Sequence, residues 1–84
     1  MTCDHLDGAH ADVAARTAVC LQCEEHGWES VALRLCLDCG HVGCCDSSRG
    51  RHAREHFTDT GHPVMRSYEP GQDWRWCYVD ELLG

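Results

Sequence analysis

Lysine, isoleucine and asparagine are missing from this 84-residue chain, and it holds only two prolines and six aromatic residues: three Trp, two Tyr and one Phe. No apolar stretch approaches the length of a membrane span, so no membrane partner is expected. The opening MTCDHLDGAHADVAAR has no basic start followed by an apolar run, unlike a secretory signal. There is no low-complexity tract and no long linker. The basic side chains are seven arginines against 14 acidic residues, a formal charge of −7. Nucleic-acid binders draw most of their affinity from basic groups on phosphate, so this balance excludes DNA and RNA as expected partners. These absences describe one soluble, cytoplasmic domain over residues 1–84.

A chain this short buries only about 60% of its unfolded surface, and its apolar core alone is marginal. Something must staple it. Eight cysteines and seven histidines are present, and in a reducing compartment that wealth of thiols points to metal rather than to disulfides. Zinc does not reverse the acidity. Held by three thiolates it leaves one extra negative charge, and held by two it leaves none.

The periodicity gives a coarse outline. The segment 9–19 is alanine-rich and reads as a loop or a short helical turn. Val31, Leu33 and Leu35 alternate with Ala32 and Arg34, the period of a half-buried strand leading into Cys36. From Arg51 to Thr60 the pattern is helical, with Ala53 and Phe57 on one face, His52 and His56 beside them, and Gly61 closing the helix before Pro63. Residues 64–69 and 74–79 read as strands. In the latter, Trp74, Trp76 and Tyr78 share one face and Cys77 takes the other.

Cys36-x2-Cys39, followed by His52-x3-His56, has the spacing of a DNA-reading finger. The rest of that pattern fails: Gly43 and Arg49 stand where such a finger needs its aromatic and leucine, and Asp46 is a poor neighbour for phosphate. The full count uses two units, Cys20-x2-Cys23 and Cys36-x2-Cys39. Each offers two sulfurs to one tetrahedral zinc and needs two more ligands. Downstream stand five candidates for four places: Cys44, Cys45, His52, His56 and His62.

The run Cys20-x2-Cys23, Trp28, Cys36-x2-Cys39, Gly40-His41-Val42-Gly43-Cys44, Arg51-His52-Ala53, Glu55-His56-Phe57, Thr60-Gly61-His62-Pro63 and Trp76-Cys77-Tyr78 resembles the ubiquitin-specific-protease-type (UBP-type) zinc finger. That is a ubiquitin-binding module of some deubiquitinases and of one histone deacetylase, and the likeness runs from Cys3 to about Glu81. The resemblance implies a small α+β, zinc-stapled domain: a twisted antiparallel sheet with one main helix and cross-braced sites. Cys20, Cys23, Cys44 and His52 would hold one zinc, and Cys36, Cys39, His56 and His62 another. A third site, as in three-zinc members, would use Cys3, His5 and Cys77, with Asp80 in place of the last cysteine. Cys45 is left over.

Ubiquitin-binding members capture a free Gly-Gly carboxylate with an arginine two residues after the cysteine equivalent to Cys44, and with aromatics around the Trp-Cys-Tyr. Here that arginine position is Asp46, and the tryptophan expected before the second Cys-x2-Cys is Arg34, while Trp76 and Tyr78 keep the aromatic wall. An aspartate at the base of such a pocket is expected to repel a carboxylate. The acids Asp46, Asp73, Asp80 and Glu81, if they share a surface, would favour a basic ligand instead. The resulting expectation is a non-catalytic zinc module that binds a protein or peptide tail, a ubiquitin-like C-terminus among the candidates, through a pocket of altered charge. A redox-responsive zinc-thiolate sensor is the alternative. The chain shows no nucleophile and base pair, and only a site containing Asp80 could leave a zinc open for catalysis.

Overall fold

The computed structural model describes residues 4–8, 13–72 and 74–83. Cys3, His10 and Asp73, together with residues 9–12, lie outside them. Among the described residues three helices and five strands follow in the order α1 (Asp4–Asp7), α2 (Leu21–His26), β1 (Leu33–Cys36), β2 (Val42–Cys44), α3 (His52–Thr60), β3 (Val64–Ser67), β4 (Arg75–Cys77) and β5 (Leu82–Leu83). The strands form one antiparallel sheet in the order β2-β1-β3-β4-β5. This is the α+β architecture expected, with α3 as its main helix.

Alternation along the strands sorts the side chains. On one face Leu35, Val42, Val64 and Cys77 gather with Leu6 and Leu37 into the apolar core, with Leu33, Tyr68 and Leu82 packed against it. Arg34 pairs with Gly43 and Met65 with Trp76 across the other face, and α3 packs there against β1 and β2. Gly43 makes that approach possible: a Cβ on it would stand 2.6 Å from the Ala53 nitrogen, so the helix rests on the strand backbone.

Helix α3 ends as the sequence indicates, on Gly61 at φ 75°, whose N–H bonds to the Phe57 carbonyl at 2.8 Å. Its N-cap, Arg51, takes a left-handed φ of 47° without glycine's freedom. The strands are shorter than the periodicity suggests. Val31 falls before β1 and is 68% exposed, and its N–H bonds to Ser48 Oγ at 2.8 Å. Beyond Cys77 the chain turns, the Glu81 N–H returning to the Cys77 carbonyl. Helix α2 and strands β2 and β5 carry no periodic signal and are additions that the structure supplies.

Candidate metal centres and an adjoining cavity

Among the described residues, three clusters of cysteine, histidine and aspartate donors form, their ligand atoms within 4.8 Å of one another in each. The first joins Cys20 and Cys23 of the α2 turn, Cys44 at the end of β2 and His52 at the start of α3, all four buried. His52 Nδ1 lies 3.3 Å from Cys20 Sγ, 3.4 Å from Cys23 Sγ and 3.4 Å from Cys44 Sγ. Three sulfurs around one nitrogen is the outline of a tetrahedron. With Zn–S near about 2.3 Å and Zn–N near about 2.0 Å, such an edge spans roughly 3.5 Å.

The second cluster takes Cys36 and Cys39 from the turn after β1, His56 from α3 and His62 from the segment leading to β3. Cys39 Sγ is 3.3 Å from His56 Nε2, and Cys36 Sγ is 3.6 Å from His62 Nδ1. Burial, with His41 and His62 alongside, pushes His56 down to about 4, so its ring stays neutral with a lone pair to give. Burial also pushes the Cys36 thiol up to about 11 and raises that of Cys44. A donor set of two thiols and two imidazole nitrogens suits zinc, whose binding displaces the thiol protons. The third cluster brings His5 of α1 to Cys77 and Asp80: His5 Nδ1 is 3.1 Å from Asp80 Oδ2 and 3.6 Å from Cys77 Sγ.

The structure thus sends His52 and His56 to different clusters, unlike the DNA-finger grouping of Cys36, Cys39, His52 and His56. It places Cys44 in the first cluster and Cys45 elsewhere. Cys45 is 7% exposed, its sulfur 3.6 Å from Ser48 Oγ. Burial raises its thiol, but the contacts with Ser48, Ser47 and Ala32 outweigh that and lower it.

Beside α3, on the face opposite the core, lies a cavity of about 290 Å³. Its apolar walls are Trp74, Trp76, Tyr78, Met65 and Leu83, and its charged groups are Arg34, Asp46 and Arg54. Asp46 is held by Arg54 of α3: Nε contacts both carboxylate oxygens at 3.0 Å, and Nη2 donates to Oδ2 at 2.6 Å. The Arg54 guanidinium also sits 5.3 Å from the Tyr78 ring, which stacks on Phe57. Burial and the nearby Asp46 push the Tyr78 hydroxyl up to about 12, so it stays protonated. Arg34 lies over Trp74 at 4.6 Å and donates to the Leu33 carbonyl. Among the described residues Arg34 makes no ion pair.

The sequence reading therefore needs one correction. Asp46 does not present a bare negative charge, because Arg54, eight residues on, covers it. Of the other acids, Asp80 belongs to the His5 cluster, whereas Glu81 lies near enough to help raise the Arg54 pKa. Arg54 is the cavity residue that sequence reasoning missed. A signal existed: in a helix running from His52, Arg54 is next to Ala53, on the flank that looks toward the loop carrying Asp46.

A sheet braced at its ends by cysteine and histidine clusters, with one helix serving two of them, defines a zinc-stapled α+β finger. The model of the family described as "Zn-finger in ubiquitin-hydrolases and other protein" matches residues 19–82, and the chain belongs to that family and binds zinc. It is 33% identical to ubiquitin carboxyl-terminal hydrolase 14 of Schizosaccharomyces pombe, over 92% of this chain and 11% of that protein. It is 40% identical to the NAD-dependent deacetylase sir2A of Dictyostelium discoideum, over 54% of this chain and 8% of that one. The chain thus spans about a tenth of these relatives. A Rhodopseudomonas palustris protein solved by NMR in solution superposes with a TM-score of 0.88 at 46% identity, over 99% of this chain and 80% of that one. Among the described residues no helix is long and apolar enough to cross a membrane.

Proposed function

We propose that residues 1–84 form a single, non-catalytic interaction module that takes up a protein's extended C-terminal tail in the cavity between Arg34 and the Trp74, Trp76 and Tyr78 wall. The carrying observation is the charge balance of that cavity. With Asp46 neutralised by Arg54, the guanidinium of Arg34 is the group left to meet a tail's carboxylate, and the aromatic rings supply apolar surface for the residues before it. The two Cys-x2-Cys clusters hold structural zinc with all four positions taken by protein, which leaves no place for a substrate water. Seven described cysteines are free thiols gathered mostly into clusters, in keeping with a reducing, cytoplasmic setting. The redox reading has less to stand on, since the spare thiol of Cys45 is buried and bonded to Ser48.

The partner chemistry follows the relative that hydrolyses ubiquitin's carboxyl end: a tail such as Arg-Leu-Arg-Gly-Gly with a free terminus. Titrating the zinc-loaded chain with that peptide, free and amidated, and following the indole signals by NMR tests it. The free acid should bind at least about tenfold more tightly, the worth of one charge-assisted hydrogen bond, and Arg34→Ala should abolish the difference. Arg54→Ala should also weaken binding by about tenfold, because it bares Asp46, and adding Asp46→Ala should recover most of the loss. Equal binding of the two peptide forms, or none at millimolar concentration, would contradict the proposal.

A further inference from the structure

Two side chains outside the clusters join them. Gln22 lies in α2 between Cys20 and Cys23, and its carboxamide reaches both ways: Oε1 is 3.8 Å from Cys20 Sγ, and Nε2 is 3.0 Å from His41 Nε2. His41, just before β2, stacks on His56 with ring centroids 4.1 Å apart and planes 5° from parallel. Its carbonyl also accepts the Cys36 N–H at 2.8 Å. His41 therefore touches two members of the second cluster while its ring nitrogen is tied, through one amide, to a member of the first.

A carboxamide offers a donor on one side and an acceptor on the other, so this link survives ionisation of Cys20. With a thiolate at Cys20, the opposite amide orientation would keep both contacts, its N–H donating to sulfur and its oxygen accepting from His41 in the Nε2–H tautomer. A histidine ligand can rotate about its ring bond, and fixing that rotation is how groups around a metal site raise its affinity. The stack fixes the plane of His56, and the amide fixes the stack.

We infer that Gln22 and His41 form a strut coupling the first two zinc sites, so that filling either cluster orders the ligands of the other. Both are positioning residues, since neither gives an atom to the metal. Helix α3 already ties the sites through the main chain. The strut is a second, side-chain tie on the α2 side.

The test is zinc release to a chelator from the intact chain, with cobalt-substituted protein read in parallel. In the native sequence the two metals should leave in one concerted phase. Gln22→Ala, at a half-buried position that favours helix, should split the release, the second-cluster zinc leaving about tenfold faster. His41→Phe keeps a ring over His56 but cannot bond the amide, and should do the same. The double variant should be no worse than either single one, as for two members of one link. Wild-type release in the single variants, independent release in the native protein, or effects that multiply in the double variant would each overturn the strut. The cobalt charge-transfer intensity counts thiolates at each site, so an error in the ligand sets would show there and not in the rates.

Discussion

Stripping zinc from this chain with a strong chelator at neutral pH is expected to unfold it: the dispersed amide spectrum collapses, the thermal transition disappears, and added zinc restores both. The reason lies in what the core is made of. Of the thirteen buried hydrophobic residues among those described, six are cysteines, and five of those six belong to the metal clusters. The remaining apolar side chains, chiefly Leu6, Leu35, Leu37, Val42 and Val64, cannot carry a domain of this size. Structural zinc contributes on the order of 10 kcal/mol per site, against a total stability for ordinary domains of about 5 to 15 kcal/mol. Losing either of the first two sites therefore removes an amount comparable to the whole stability of such a fold. Cys44→Ser, which removes a ligand at 0% exposure, should approach the same result, whereas Cys45→Ser should leave the metal content unchanged. A chelated chain that keeps a dispersed spectrum and a cooperative melt would show that the core folds without metal.

Gly43→Ala is expected to destabilise the zinc-loaded chain by about 3 kcal/mol or more, at the upper end for overpacking, and to loosen the first site. The added Cβ would stand 2.6 Å from the Ala53 nitrogen, 2.9 Å from the Ala53 Cα and 2.9 Å from the His52 carbonyl carbon. All three are backbone atoms of the first turn of α3, so no side chain can move aside. The helix itself must lift. Cys44 follows Gly43 and His52 precedes Ala53, so any lift separates two members of the first cluster, whose Sγ and Nδ1 lie 3.4 Å apart. Gly27→Ala is the comparison: its Cβ meets nothing within 4 Å, and the cost is only that of a left-handed φ of 70°, about 1 to 2 kcal/mol. Chemical denaturation of the two variants should separate them clearly. Equal stabilities would mean that the approach of α3 to β2 is softer than the structure indicates.

Much of the site was legible because metal chemistry writes itself into spacing. Two sulfurs at Cys-x2-Cys can meet one ion, so two clusters could be counted before any fold was known, while their full ligand sets and the third cluster came from the family resemblance. Helix α3 was legible from its apolar face and its closing glycine. The aromatic wall could be seen in the alternation of Trp74, Trp76 and Tyr78. What stayed hidden depends on contacts across the chain. Helix α2 is six residues long and forms around the first Cys-x2-Cys, too short to show a period. Strand β2 is three residues, with Gly43 chosen for closeness to a helix rather than for strand propensity. The charge of the cavity was misread for the same reason: Asp46 taken alone is an anion, and only the folded chain lays Arg54 across it. The link from Gln22 to His41 is 19 residues long in sequence and has no pattern at all.

The claim on which the rest depends is that α3 serves two metals, His52 one and His56 the other. It can be read directly from cadmium-113 NMR of the cadmium-loaded chain carrying nitrogen-15 in its histidine rings, where scalar coupling identifies which nitrogen binds which metal. The expected spectrum couples His52 Nδ1 to a cadmium with three sulfurs, and His56 Nε2 to a different cadmium with two. Coupling of both histidines to the same cadmium would restore the simple finger pattern of Cys36, Cys39, His52 and His56, and would contradict the cross-brace.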